Sequence, residues 1–320
     1  MKYAMIFPGQ GAQRPGMGKD VCDKYIAAKR IFDEADEALG FSLSDIIFNG
    51  TPEQLAHTEI TQPAILTVSV AMFRALEQEL GTAVEPVCMA GHSLGEYTAL
   101  VASGALSVRD GVRLVHKRGG LMQTAVPLGV GSMAAIIGLE LPVVAEVCAE
   151  AAQGEVCEAA NINSPKQIVI SGHATAVERA VALIEQKYTA KVVPLRVSAP
   201  FHCALMRPVA DELKEAFAQI EWHDPKFPII ANATALPVQK AQAVREALYA
   251  QTYSPVLWSQ SVLEMEKNGV DGYIELGPGS VLSGLVRKIC NGKRPYAVSN
   301  SGASRRGGLS EERRKCQIKK

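Results

Sequence analysis

Pro86-Val87-Cys88-Met89-Ala90-Gly91-His92-Ser93-Leu94-Gly95-Glu96-Tyr97-Thr98-Ala99-Leu100 decides the fold. The apolar run Val87 to Ala90 predicts a short buried strand. Leu94, Tyr97, Leu100 and Val101 recur at helical spacing just beyond it. Between them stands Gly91-His92-Ser93-Leu94-Gly95. In the order strand, tight turn, helix, Gly-x-Ser-x-Gly has the context of a nucleophile elbow. The flanking glycines allow a sharp turn and keep side chains off the serine. Its hydroxyl is then exposed at the carboxyl end of a strand. The amide of Leu94, at the helix start, is placed to donate to an oxyanion. A Gly-rich turn with an incidental serine is the plainer alternative.

Bulk properties narrow the class. The chain has 320 residues, 48% hydrophobic and 21% charged, enough for one large domain or two unequal ones. Lys+Arg and Asp+Glu number 33 each, so no overall field favours nucleic acid or a membrane surface. The balance is uneven: residues 301–320 carry a net +5. There are seven cysteines, an odd number, with no Cys-x-x-Cys pair, which fits thiols in a reducing compartment. Tyr3 to Phe7 is soon interrupted by Pro8-Gly9, too early for a signal peptide. No apolar run approaches the length of a membrane span. A cytoplasmic location is expected.

Outward from the elbow, Tyr3 to Phe7 predicts a first buried strand ending in the loop Pro8-Gly9-Gln10-Gly11. Residues 20–38 predict one amphipathic helix. A long helix is expected from Thr61 to Leu80 with Pro63 in its first turn, another over 107–126 capped by Ser107, and a third from about 205 to 219. Residues 132–195 read strand, helix, strand, strand, helix, strand, the order of a ferredoxin-like unit. The expected fold is α/β: a large α/β-hydrolase-like domain with a parallel sheet (1–127 and 198–300) and an inserted ferredoxin-like subdomain (128–197). Buried strands at 228–231 and 272–276 continue the large sheet. The Gly/Ser/Arg-rich stretch 301–320 is expected to be a disordered tail.

A serine hydroxyl needs a base. Of six histidines, His202 is favoured because it follows Ala199-Pro200-Phe201 where the chain returns to the main sheet. A structural loop histidine is the competing reading. His92 adjoins the serine, but its side chain should point away. No acid between Ser93 and His202 is well placed to orient the base; a backbone carbonyl could serve. Arg118 is either a solvated helix charge or a bidentate partner for a carboxylate. Gly119-Gly120, inside the same helix, costs about 1 kcal/mol per glycine relative to alanine, so close approach of a segment or ligand is expected there.

Phe7-Pro8-Gly9-Gln10-Gly11, Gly91 to Glu96, Arg118-Gly119, Asn161-Ile162-Asn163-Ser164-Pro165, Phe201-His202 and Gly277-Pro278-Gly279 occur in this order. With these motifs, residues 1–298 resemble the malonyl-CoA:acyl carrier protein transacylases of type II fatty acid synthesis. They are also similar to the acyltransferase domains of polyketide and type I fatty acid synthases. The resemblance implies transfer of malonyl from malonyl-CoA to the phosphopantetheine thiol of acyl carrier protein. It implies Ser93 as nucleophile and His202 as base, then acid. Arg118 would bind the malonyl carboxylate. The amides of Gln10 and Leu94 would form the oxyanion hole, and the carbonyl of Gln251 would orient His202. Asn161 and Asn163 would line the cleft between the subdomains, with His92 included in the substrate-binding set. Phe201 would leave little room for an α-methyl group, favouring malonyl over methylmalonyl. No metal or organic cofactor is implied, and a monomer is expected. The alternatives are a discrete polyketide-pathway acyltransferase, a serine esterase on the same scaffold, and a carrier-docking module without catalysis.

Overall fold

The structure, a computed structural model, describes residues 2–195, 199–290 and 295–299. In chain order the first half runs β1 (Tyr3–Phe7), α1 (Lys19–Lys24), α2 (Ile26–Leu39), α3 (Leu43–Asn49), α4 (Pro52–Ala56), α5 (Thr58–Leu80), β2 (Cys88–Gly91), α6 (Leu94–Ala102) and α7 (Val108–Thr124). The middle is β3 (Gly131–Ile137), α8 (Leu141–Ala152), β4 (Cys157–Ser164), β5 (Gln167–His173), α9 (Ala174–Lys187) and β6 (Lys191–Pro194). After the 3₁₀ turn Ala204–Met206 come α10 (Arg207–Phe217), β7 (Ile229–Ile230), β8 (Pro237–Val238), α11 (Ala241–Tyr253) and α12 (Trp258–Lys267). The chain closes with β9 (Gly272–Leu276), α13 (Val281–Ile289) and β10 (Tyr296–Val298). Both the basic stretch 301–320 and the boundary expected at 197/198 lie outside the described residues.

Two sheets result. The larger has the order β10-β9-β1-β2-β7-β8, parallel except at the β7–β8 edge. β1 and β2 are apolar on both faces and buried, as strands of parallel sheets covered by helices are; β9 is equally buried but carries Glu275, whose carboxyl accepts from the Leu282 and Ser283 amides of α13. The smaller is antiparallel, β4-β5-β3-β6, with α8 and α9 packed on one face through Val144, Val147, Ala176 and Ile184. This is the ferredoxin-like arrangement. The two parts meet at the edge of β4, where Ile162 N–H donates to Val256 O (2.9 Å) and Val256 N–H to Ala160 O (2.9 Å). Among the described residues no helix is long and apolar enough to cross a membrane.

Three local expectations are corrected. The helix expected over 20–38 is two helices, parted at Tyr25, which is extended (φ −117°, ψ 120°). Its ring is buried and its hydroxyl donates to Glu79 on α5 (2.8 Å), so a tertiary contact sets the break. The helix expected from 205 to 219 begins as a 3₁₀ turn and is α-helical only over Arg207–Phe217. The third concerns α5, which starts at Thr58 rather than Thr61, so Pro63 sits inside it. Proline has no N–H for the carbonyl four residues back, that of Glu59. His116 Nδ1, on α7, donates to that oxygen instead (2.8 Å).

The same crossing explains Gly119. A Cβ there would stand 2.5 Å from Thr58 O and 2.6 Å from Glu59 Cα. Gly120 has no such neighbour; its Cβ would meet only Glu59 Oε2 at 3.7 Å. Alanine gains about 1 kcal/mol of helix propensity at either site. At Gly119 a clash against backbone that cannot yield costs about 1–3 kcal/mol and wins. Gly119→Ala is therefore expected to lower the urea midpoint and Gly120→Ala to hold or raise it. Equal shifts in the two variants would refute the close-approach explanation.

Candidate active site

Three neighbouring strands deliver their carboxyl ends to one place. The parallel register pairs Phe7 with Gly91 and Ala90 with Ile230. The residues that follow, Pro8-Gly9-Gln10, His92-Ser93 and Ala231-Asn232, thus leave the sheet side by side, where open α/β sheets build their sites. The approach is tight. A Cβ on Gly95 would lie 2.0 Å from Phe7 O, one on Gly9 2.4 Å from His92 O, and one on Gly91 1.9 Å from Gly95 C. The glycines are required by backbone packing, and the turn puts Ser93 at φ 53°, ψ −106°. A non-glycine residue at positive φ is strained and persists only where its surroundings hold it. His202 is a second such residue (φ 59°).

Ser93 Oγ and His202 Nε2 are 2.7 Å apart. On the other side of the ring, Nδ1 lies 2.9 Å from the backbone carbonyl of Gln251. A carbonyl can only accept, so Nδ1 carries the proton and Nε2 presents its lone pair to the serine hydroxyl. Burial, then the nearby Arg118 charge, push the His202 pKa down to about 3. The imidazole is neutral at physiological pH and free to take a proton. The Leu94 amide is the first of α6 and has no intrahelical acceptor. Among the described residues the Gln10 amide also donates to nothing; the Gln10 side chain reaches Thr58 Oγ1 (3.5 Å).

Arg118 is 1% exposed. Its Nη1 donates to Gln62 Oε1 (2.8 Å), and its Nη2 to Gln251 Oε1 (3.0 Å) and Ser93 Oγ (3.1 Å). The guanidinium also lies over the Tyr97 ring (5.1 Å). Every direct partner is neutral, and Nε has none among the described residues. A buried cation held this way is costly to the empty protein and suited to receive an anion. The solvated-charge alternative for Arg118 is excluded.

The remaining expected residues divide. His92 turns from Ser93: its Nε2 donates to Asn163 Oδ1 (2.8 Å) and its ring packs on Trp258 (5.8 Å). Asn163 thereby joins the small sheet to the elbow. Asn161 is buried in the β4 bridge to Val256 and makes no hydrogen bond to Ser93, His202 or Arg118 among the described residues. Phe201 is buried in the core cluster beside His202.

Three residues not expected from sequence complete the group. Gln62 holds Arg118. Asn232 spans the elbow, accepting from Ser93 N–H (2.7 Å) and donating through Nδ2 to Gly91 O (2.7 Å). Glu96, also buried, accepts through one oxygen from Asn232 N–H (3.0 Å) and Gln251 Nε2 (2.8 Å). A polar residue just past the buried strand Ile229–Ile230 was the available signal for Asn232.

Burial pushes Glu96 up to about 7 from 4.5. Between those values the folded protein holds a proton that the unfolded chain has released. Its contribution is fully present below pH 4.5 and is lost as pH rises through 7. His202 has the opposite sign: between 6.5 and 3 the unfolded chain holds the extra proton, so stability falls on acidification. In urea titrations the stability of wild type relative to Glu96→Gln is expected to increase as pH drops from 7 to 4.5. A pH-independent difference would contradict the Glu96 shift.

Comparison with known proteins identifies the family. Residues 4–302 match the acyl transferase domain family. The malonyl CoA-acyl carrier protein transacylase of Escherichia coli K12 is 45% identical over 302 residues, 94% of this chain and 97% of the relative. An acyl carrier protein S-malonyltransferase from Vibrio cholerae superposes with a TM-score of 0.91 at 45% identity, covering 95% of this chain and 98% of the other. A malonyl-transacylase solved in complex with its type II PKS acyl-carrier protein superposes with a TM-score of 0.91 at 43% identity, over 95% and 97% of the two chains. The chain belongs to the acyl transferase family. Its relatives within the family include the malonyl CoA-acyl carrier protein transacylases of Escherichia coli and Bacillus subtilis, each 45% identical.

Proposed function

We propose that this protein transfers malonyl from malonyl-CoA to the phosphopantetheine thiol of an acyl carrier protein, through a malonyl-serine intermediate. Malonyl-CoA enters with its free carboxylate on Arg118. His202 Nε2 takes the Ser93 proton as Oγ attacks the thioester carbon. The oxyanion is held by the amides of Gln10 and Leu94. The C–S bond breaks, and His202 returns the proton to the departing CoA sulfur. In the second half the carrier thiol gives its proton to His202 and its sulfur attacks the malonyl-serine. Oγ then leaves as a hydroxyl. No metal or organic cofactor enters these steps.

One observation carries most weight: a buried guanidinium with only neutral partners stands 3.1 Å from Ser93 Oγ. A hydrolase acting on neutral esters has no need of it. In this reading Asn161 and Asn163 line the cleft between the subdomains, His92 belongs to the substrate-binding set, and Phe201 disfavours an α-methyl substituent. Residues 1–127 and 198–300 form the catalytic domain around the 128–197 unit, and the enzyme works as a cytoplasmic monomer. The relative solved with a type II PKS carrier protein supports a second setting for the same chemistry, malonyl supply to polyketide assembly.

The test is intact-protein mass spectrometry after brief exposure to malonyl-, acetyl- and methylmalonyl-CoA in competition. A single malonyl adduct, discharged by acyl carrier protein, is expected. An adduct formed equally with acetyl-CoA, or none at all, would reopen the esterase and docking alternatives.

A further inference from the structure

Ser93-Leu94-Gly95-Glu96 has the form Ser-x-x-Glu at a helix start, which ordinarily closes into a reciprocal capping box. Neither half forms. The Ser93 side chain makes no capping bond, and the Ser93 N–H goes to Asn232 Oδ1. The serine hydroxyl is thereby released toward His202 and Arg118, and the Glu96 carboxyl turns inward, 1% exposed. The helix dipole would be served by an exposed carboxylate in the same turn and does not require this burial.

The released carboxyl converges on Gln251, where the site's threads cross. The Gln251 backbone carbonyl holds His202, and its side-chain oxygen holds Arg118. Its side-chain nitrogen donates to Ser93 O (3.0 Å) and to Glu96 Oε2 (2.8 Å). A carboxamide can turn end for end with little change in shape. The two acceptors at its nitrogen end fix the sense that faces an oxygen, rather than an NH₂, toward the guanidinium. The same Glu96 oxygen takes the Asn232 N–H, so one atom ties the Gln251 node to the residue that straddles the strained elbow.

We propose that Glu96 is a positioning residue for acyl transfer: the shared acceptor that locks Gln251, and through it His202 and Arg118, onto the serine elbow. The inference rests on the malonyl-transfer reading above. It requires that losing Glu96 disturbs both the rate of serine acylation and the choice of acyl group. A carboxyl that only stabilised the fold would lower the urea midpoint and leave the acyl preference of the folded enzyme untouched.

The experiment measures acylation by malonyl-CoA and acetyl-CoA, with urea midpoints, for wild type, Glu96→Ala, Glu96→Gln and Glu96→Asp. Glu96→Ala is expected to lose about 10- to 100-fold in malonyl acylation rate and about 10-fold in malonyl-to-acetyl preference. Glu96→Gln keeps an acceptor oxygen of the same reach and is expected to recover most of both. Wild-type rate and preference in Glu96→Ala would overturn the proposal. So would a folded Glu96→Gln that loses as much as Glu96→Ala. If Glu96→Ala does not fold, Glu96→Asp decides, since its carboxyl is withdrawn from both donors: a preference fall of about 10-fold supports the role and a wild-type preference overturns it. No malonyl adduct on the wild type removes the malonyl-transfer reading and this inference together. A normal wild-type adduct with an unmoved preference in Glu96→Ala removes the inference alone.

Discussion

Ser93→Ala is expected to form no malonyl adduct and to lower transfer to acyl carrier protein by about 10⁴-fold or more. The size matters because smaller losses mean something else. Removing a single oxyanion donor costs about 10²–10³ in rate. A loss confined to that range would make Ser93 a hydrogen-bonding group and leave the nucleophile unassigned. Cys203, next to the base in sequence, donates its thiol to Pro200 O, and burial pushes its pKa up to about 11. It is a thiol at neutral pH, not a thiolate. Intact mass after malonyl-CoA exposure reads the adduct directly, and a carrier-protein discharge assay reads the rate. A full-stoichiometry adduct on the alanine variant would end the serine assignment.

Arg118→Ala is expected to lower malonyl-to-acetyl preference by about 10²–10³-fold, mostly by losing malonyl. In the proposed function the variant gives up the charge-assisted hydrogen bonds that the guanidinium would make to the malonyl carboxylate. The variant also removes the donor to Gln62, Gln251 and Ser93. Acylation by acetyl-CoA should survive, and the trapped acyl-serine should hydrolyse faster. Arg118→Lys should restore only part of the preference, since a single ammonium cannot reproduce the planar fork. Competition between the two thioesters, read as the ratio of adduct masses, measures this without separate kinetic constants. An unchanged ratio in Arg118→Ala would sink the carboxylate role.

What was legible in the sequence was local. The elbow declared itself because a buried strand, two glycines whose Cβ atoms have no room, and a helix start are all encoded within fifteen contiguous residues. The small sheet followed from the contiguous order strand, helix, strand, strand, helix, strand read over 132–195. Long-range polar contacts were not legible. Tyr25 breaks a helix for the sake of Glu79, and Pro63 is tolerated inside one because His116 serves the orphaned carbonyl. Asn232 comes 139 residues after the serine whose amide it binds, and no pattern around it announces the pairing. Gln251 was expected for its backbone carbonyl alone, by resemblance. Its side chain makes three further hydrogen bonds, with Arg118, Ser93 and Glu96.

The position of β1 has a consequence for synthesis on the ribosome. β1 is an inner strand of the large sheet, pairing with β2 on one side and β9 on the other. The second partner begins at Gly272, near the end of the chain. Nascent chain through Leu195 can complete the antiparallel sheet from contiguous residues. Meanwhile Tyr3–Phe7 waits with one row of backbone donors and acceptors unmatched. An inner strand with an open flank is a template for unwanted pairing between chains. Translation that pauses before Gly272 leaves the small sheet complete while the β9 side of β1 has no partner.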